Sequence, residues 1–231
     1  MEMPLFSEGC VVCKSATLVG DISIGSGTVI HPLARIIAKT GPIIIGDNNI
    51  IEETVEIVND GPDETVMIIG SSNMIQVGAK LSCLKMGNNN MIESKSIIGR
   101  HTVLSYGCIV SAGWPCFQFY TYYASLLSGI HLDTKEILPE MTIVYLDGDK
   151  QRRKITSQKA VDVKPEVELL AKIIPNHHQI HETETFVNNN SSATKETPKE
   201  ENINERKSNR PSFNRPDFSR IKSILNKNKR P

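Results

Sequence analysis

Between Met86 and Val110 the aliphatic residues recur six apart, at Met86, Ile92, Ile98, Leu104 and Val110. An amphipathic helix spaces its apolar residues three and four apart and a half-buried strand two apart, so neither produces a strict period of six. A parallel β-helix does. In the left-handed form each hexad makes one flat side of a triangular prism and three hexads complete a coil. The residue heading each hexad points into the shaft.

Carried back through the chain, the same period places heads at Val12, Leu18, Ile24, Ile30, Ile36, Ile45, Ile51, Ile57, Ile69, Ile75 and Leu81. Every head is aliphatic or Met, in a chain where such residues are well under half of the total. Two breaks in the period span Gly41-Pro42 and Gly61-Pro62 and predict loops leaving the corners. The step from Leu81 to Met86 is one residue short and predicts a tightened corner. With three hexads per coil, Ile24, Ile45, Ile69, Met86 and Leu104 stack on one side. The first four are followed by Gly25, Gly46, Gly70 and Gly87, where a corner backbone that other residues resist is expected. The fifth position of each hexad also faces inward, with less room. On this side it is Cys10, Thr28, Asn49, Asn73, Asn90 and Cys108, which predicts an inward amide ladder through Asn49, Asn73 and Asn90.

After Val110 the period resumes only at Leu132, Leu138 and Val144. The intervening segment, about 114–129, holds half of the aromatic residues, too large for the shaft. Two readings stand: a hydrophobic contact surface for a partner through Trp114, Phe117, Phe119 and Tyr120, or an insertion peculiar to this chain. Beyond Val144 the strand pattern fades. Pro165 opens a packing helix of about 165–174, with Val167, Leu170, Ile173 and Ile174 on one face and Pro175 as its stop. From about Glu182 the chain is polar and expected to be disordered. The fold class is therefore an all-β solenoid, a left-handed parallel β-helix of hexapeptide repeats over 6–148. A connector and α-helix follow over 149–181, then a disordered basic tail over 182–231.

Formal net charge is zero but unevenly spread: Arg206 to Pro231 contains nine Lys or Arg and one acid, leaving a mildly acidic body. Thr197-Pro198 in the tail is a candidate phosphorylation site for a proline-directed kinase. The N-terminal residues MEMPLFSEGC carry no signal-peptide pattern and no stretch is long enough to span a membrane, so a cytoplasmic protein is expected. Five cysteines without disulfide spacing agree with a reducing compartment, and the Cys10-x-x-Cys13 pair lacks further ligands for zinc.

The prism fold also carries enzymes, and histidine is the residue to follow. Hexapeptide acyltransferases use a His as general base, and gamma-class carbonic anhydrases hold zinc with three His on neighbouring coils. Here the repeat contains only His31 and His101, on different sides and about 14 Å apart along the axis at the spacing of paired strands. His31 is expected to pair with Glu52 on an exposed corner, while His177, His178 and His181 follow the helix. No phosphate-binding loop, nucleophile elbow or triad is present, so the expectation is no enzyme, no metal and no other cofactor.

The segments Val29–Glu53, Lys85–Arg100, Leu138–Tyr145 and Leu169–His178 resemble the dynactin subunit 6 family, over roughly residues 10 to 180. Members are left-handed β-helix subunits at the pointed end of the dynactin complex. The resemblance implies a non-catalytic scaffold that pairs with a paralogous β-helix, dynactin subunit 5. It also implies association with subunit 4 and the pointed-end actin-related protein, and indirectly with dynein for transport along microtubules. Nucleic acid and membrane insertion have no place in this role. The implied location is cytoplasm and cytoskeleton, extending to centrosome and kinetochore. The aromatic insertion and the basic end depart from the family pattern.

Overall fold

The computed structural model describes residues 4–62, 64–111, 130–132, 135–147, 150–157 and 159–181. The chain divides into two units, Met1–Val187 and Asn188–Pro231, and every described residue belongs to the first. The expected tail, with Thr197, and the insertion residues Trp114, Phe117, Phe119 and Tyr120 lie outside the described residues.

Three sheets form the walls of a left-handed parallel β-helix. The first contains β1 (Leu5–Phe6), β4 (Ile22–Ile24), β7 (Ile43–Ile45), β10 (Met67–Ile69), β13 (Lys85–Met86), β16 (Val103–Leu104) and β19 (Ile137–Leu138). The second contains β2 (Val11–Val12), β5 (Val29–Ile30), β8 (Ile50–Ile51), β11 (Met74–Ile75), β14 (Met91–Ile92), β17 (Ile109–Val110), β20 (Thr142–Asp147) and β21 (Lys150–Ile155). The third contains β3 (Thr17–Val19), β6 (Arg35–Ala38), β9 (Glu56–Asn59), β12 (Lys80–Leu81), β15 (Ile97–Ile98) and β18 (His131–Leu132). Consecutive strands visit the sheets in turn and pair in parallel with the strand one coil later, while β20 and β21 pair antiparallel.

The stacking follows the sequence register. Ile24 pairs with Ile45, Ile45 with Ile69, Ile69 with Met86, and Met86 with Leu104. All the heads from Val12 to Val110 are buried except Leu18, which is half-buried on the end strand β3, where no further coil covers it. Leu132, Leu138 and Val144 continue the core. Each such side chain contributes about 1.5–3 kcal/mol of burial.

The glycines after the heads require a different reason from the one expected. Gly25, Gly46, Gly70 and Gly87 are not in the left-handed region. A Cβ on Gly70 would lie 2.6 Å from the carbonyl oxygen of Gly87, and one on Gly87 would lie 2.5 Å from that of Ser105, so close stacking of successive coils excludes a side chain. Positive φ falls two residues later, in a column through Gly27, Asn48, Ser72, Asn89 and Gly107. Gly and short polar residues, which tolerate left-handed backbone best, fill this column, and Met141 continues it on the next coil with φ 58°.

The strand pattern does not end at Val144. Thr142–Asp147 and Lys150–Ile155 form a hairpin whose second strand is exposed throughout, so KQRRKI carries no apolar alternation by which to read it. The chain then returns along the outside of the second sheet. Thr156 N–H donates to the Met141 carbonyl at 2.9 Å, Asn89 Nδ2 to the Val161 carbonyl at 3.3 Å, and a helix α1 (Lys164–His177) follows. Pro165 opens the helix as expected, but Pro175 does not stop it. The absent N–H of Pro175 costs one bond in the last turn, and the helix is capped at 2.9 Å by His178 N–H donating to the Ile174 carbonyl. Beyond α1, Lys14 N–H donates to Gln179, His181 N–H donates to Val12 (both 2.8 Å), and Cys13 bridges Ile180, covering the free edge of β2.

Candidate functional site

One column of the shaft is polar. Cys10, Thr28, Asn49, Asn73, Asn90, Cys108 and Thr142 occupy the same inward position on successive coils, and all are buried. Asn73 Nδ2 donates to Asn49 Oδ1 at 3.0 Å and Asn90 Nδ2 to Asn73 Oδ1 at 3.1 Å. The same oxygens accept the backbone N–H of the following coil: Asn73 N–H on Asn49 and Asn90 N–H on Asn73, both 2.9 Å, and Cys108 N–H on Asn90 at 2.7 Å. Asn49 Nδ2 ends the run on the carbonyls of Gly46 and Gly70, at 2.8 and 2.9 Å. A corner backbone donor that cannot reach another backbone is thus satisfied from inside, which buried polar groups require. Each member needs an acceptor and small volume, and a thiol supplies both at Cys10 and Cys108. Burial pushes the Cys10 thiol up to about 11 and that of Cys83 to about 12, so these thiols stay protonated.

A fourth buried amide, Asn59, lies outside this column and was not singled out from the sequence. Its Nδ2 donates to the carbonyls of Gly41, Pro42 and Thr65 at 2.9, 3.1 and 2.7 Å, tying together the two loops that leave the prism. Its position next to the second Gly-Pro break was the available signal.

Of the histidines, His31 and His178 both act on one carboxylate, Glu53. His31 follows β5 and pairs not with Glu52 but with Glu53, Nδ1 donating to Oε1 at 2.9 Å. Glu52 is turned away because its Oε2 accepts the Val77 N–H at 2.8 Å. The two carboxyls diverge accordingly. Burial lifts Glu52 above the usual carboxylate range, only partly opposed by the Val77 N–H and His31. At Glu53 burial acts in the same direction but is outweighed by the His31 hydrogen bond, a backbone hydrogen bond and the nearby His178, leaving it lowered. His101 lies at another corner, between β15 and β16, while His177 and His178 are exposed at the end of α1. Cys10 faces the shaft and Cys13 the outer apolar cluster beneath α1, so the two thiols point to opposite sides of one wall. Among the described residues no group of three or more His, Cys, Asp or Glu is placed to hold a metal ion.

The outer walls differ. On the second sheet, Val11, Val29, Ile50 and Met74 lie under Val163, Val167 and Ile174, with Leu170 and Ala171 partly buried against them. Ile173, expected on the packing face, is exposed together with Leu169, because the buried face follows Val167, Leu170, Ala171 and Ile174 at the helical spacing. On the third sheet, Glu56 bridges Arg35 at 3.5 Å and Lys80 at 3.3 Å across three coils. On the first, Ile44, Ile68 and Val103 are half-buried and Leu5 and Ile137 exposed. Among the described residues no helix is long and apolar enough to cross a membrane.

No family model matches the chain. The chain is 40% identical to dynactin subunit 6 of Nematostella vectensis over 74% of its own length and 89% of the relative's. It is 39% identical to dynactin subunit 6 of Xenopus tropicalis over 77% of this chain and 84% of that one. Among solved structures, a Bacillus cereus protein described as a candidate acetyltransferase matches with a TM-score of 0.51 and 16% identity, over 73% of this chain and 86% of the other, a likeness of fold alone. At such identity over nearly the full length of these relatives, the chain belongs to the dynactin subunit 6 family.

Proposed function

We propose that the chain is a non-catalytic structural subunit of dynactin. In this reading it pairs with the paralogous β-helix, dynactin subunit 5, at the pointed end, beside subunit 4 and the pointed-end actin-related protein. Through them it supports dynein-driven cargo transport in the cytoplasm. The observation that carries the reading is the match to dynactin subunit 6 across nearly nine-tenths of the relative's length. The contact of His31 Nδ1 with Glu53, at 2.9 Å, fits a structural corner pair. Thr197 in the basic tail is proposed as a kinase target whose phosphate, adding about −1.5 to −2 charge, would offset neighbouring cations. Trp114, Phe117, Phe119 and Tyr120 are proposed as a partner contact.

Affinity purification of the tagged full chain from its own cells tests the reading. Recovery of the other dynactin subunits in stoichiometric amounts is the expected result. A soluble, folded chain recovered without any of them would overturn the assignment.

A further inference from the structure

Strand β21 closes the second sheet at its C-terminal end, and among the described residues no strand lies beyond it. All six of its residues, Lys-Gln-Arg-Arg-Lys-Ile, are exposed. Main-chain groups alternate sides along an antiparallel strand. Thr156 N–H bonds back to Met141, so Lys150, Arg152 and Lys154 turn their main-chain groups to β20, while Gln151, Arg153 and Ile155 turn theirs to the open side.

The side chains divide in the same alternation. Gln151 and Arg153 reach across the end of the shaft: Gln151 Nε2 donates to the His131 carbonyl at 2.8 Å, and Arg153 holds Glu136 through two bonds of 2.6 and 2.9 Å. These contacts pin the strand in place. On the other face Arg152 lies 3.4 Å from Asp147, and Lys150 and Lys154 have no carboxylate within ion-pair reach among the described residues.

We propose that β21 is a docking edge for an acidic, extended segment of another protein, which adds as one more strand beyond it. An open edge of unpaired N–H and C=O groups is a template for strand addition. The cations choose the occupant. A second copy would bring the same Lys and Arg row against this one and be repelled, whereas a strand bearing Asp or Glu at alternate positions finds Lys150, Arg152 and Lys154 along one face. Ile155, 71% exposed at the end of the strand, offers that segment an apolar contact. A nucleic acid or an anionic lipid surface would use the charges but not the edge. The proposal goes beyond the assembly role, since co-recovery with dynactin subunits neither requires nor excludes it.

The test titrates the full chain with a short labelled peptide of alternating Glu and Val, and with an equally acidic peptide in which Pro replaces Val and no strand can form. Anisotropy at low and physiological salt reads binding, and amide exchange reads its place. The proposal expects the alternating peptide to bind and to slow exchange at Gln151, Arg153 and Ile155 by about tenfold or more. Lys150→Glu with Lys154→Glu, both on an exposed strand, should weaken binding by about tenfold or more at low salt. Ile155→Pro, which removes one N–H from the open side only, should weaken it as well. Equal binding of the Pro-containing peptide, a single-stranded oligonucleotide or anionic vesicles would reduce the edge to a charged patch and overturn the proposal. So would absence of peptide binding, or protection confined to other strands, in the unmutated chain.

Discussion

Over their parallel strands the second and third sheets share one backbone plan and differ most in one row of side chains. Just before each inward head the second sheet has Val11, Val29, Ile50, Met74, Met91 and Ile109; the third has Thr17, Arg35, Glu56, Lys80, Ile97 and His131. The first row is apolar and is covered by the returning chain, with α1 against its N-terminal half. The second is polar over most of its length and is left to solvent, its middle charges paired with one another. A β-helix thus specifies which wall it covers itself through the outward neighbour of each head, while the heads stay the same. The first sheet is intermediate, with Ile44, Ile68 and Val103 half-buried beside exposed Lys85.

The largest test of that comparison replaces Ile50, fully buried between β8 and the returning chain, by Lys. An unpaired charge stranded there costs about 3 kcal/mol or more unless the helix moves off. The expected outcome is a lower Tm with Cys13 newly reactive to alkylation while Cys83 in the shaft remains protected, read by peptide mass spectrometry. Equal reactivity of both thiols would mean that the wall and its cover unfold as one unit. Next in size is Asn73→Ala. It removes the acceptor for the N–H and Nδ2 of Asn90 and leaves two buried donors unpaired, at about 1–3 kcal/mol for each group that finds no substitute. Urea denaturation should show the loss, and Asn73→Asp should not restore stability, because it places a charge in the ladder.

The coil register was legible because each head is constrained from all sides of a narrow shaft, so Ile24, Ile45 and Ile69 could not be polar. The outward row was equally present in the sequence, as the doublets VV, VI, II, MI and MI on the second sheet against TL, RI, EI and KL on the third. Comparing them identifies the covered wall. Other features left weaker traces. Strand β21 buries no residue and so has no apolar period, and the choice of Glu53 over Glu52 depends on Val77 N–H, a backbone donor one coil away. The crowding that fixes Gly70 and Gly87 comes from the stacked coil rather than from their own φ, which local patterns do not encode.

The corner beneath α1 gives a smaller effect with a defined sign. Glu53 is lowered in the folded chain, so its contribution is present above the ordinary carboxylate value and is lost as pH falls through the folded one. Glu52 is raised, so its folded form is favoured at low pH and that advantage is lost as pH rises through its folded value. At pH 7 Glu53→Gln should lower Tm, whereas Glu52→Gln, which keeps an acceptor for Val77 N–H, should raise it. On acidification the Glu52 difference should shrink by about pH 4, near the ordinary carboxylate value, whereas the Glu53 difference should be lost only as pH falls below that value. Thermal melts of the three proteins across that range check the opposition; shifts of the same sign would show that the two carboxylates act through one shared contact.

The smallest effect is expected on the third sheet, where Lys80→Ala removes one arm of the Arg35, Glu56 and Lys80 row. Lys80 is 59% exposed, its contact to Glu56 is 3.3 Å, and Arg35 remains to hold the same carboxylate. Solvent screening and the entropy of a long side chain leave such a pair with about 0.5 kcal/mol or less. The change in Tm should therefore be within error of zero and insensitive to salt, in contrast to Ile50→Lys one wall away. A loss approaching that of Ile50→Lys would mean that the charged row holds the third sheet together as strongly as the apolar row holds the second. In that case the distinction between a covered wall and a solvated one would fail.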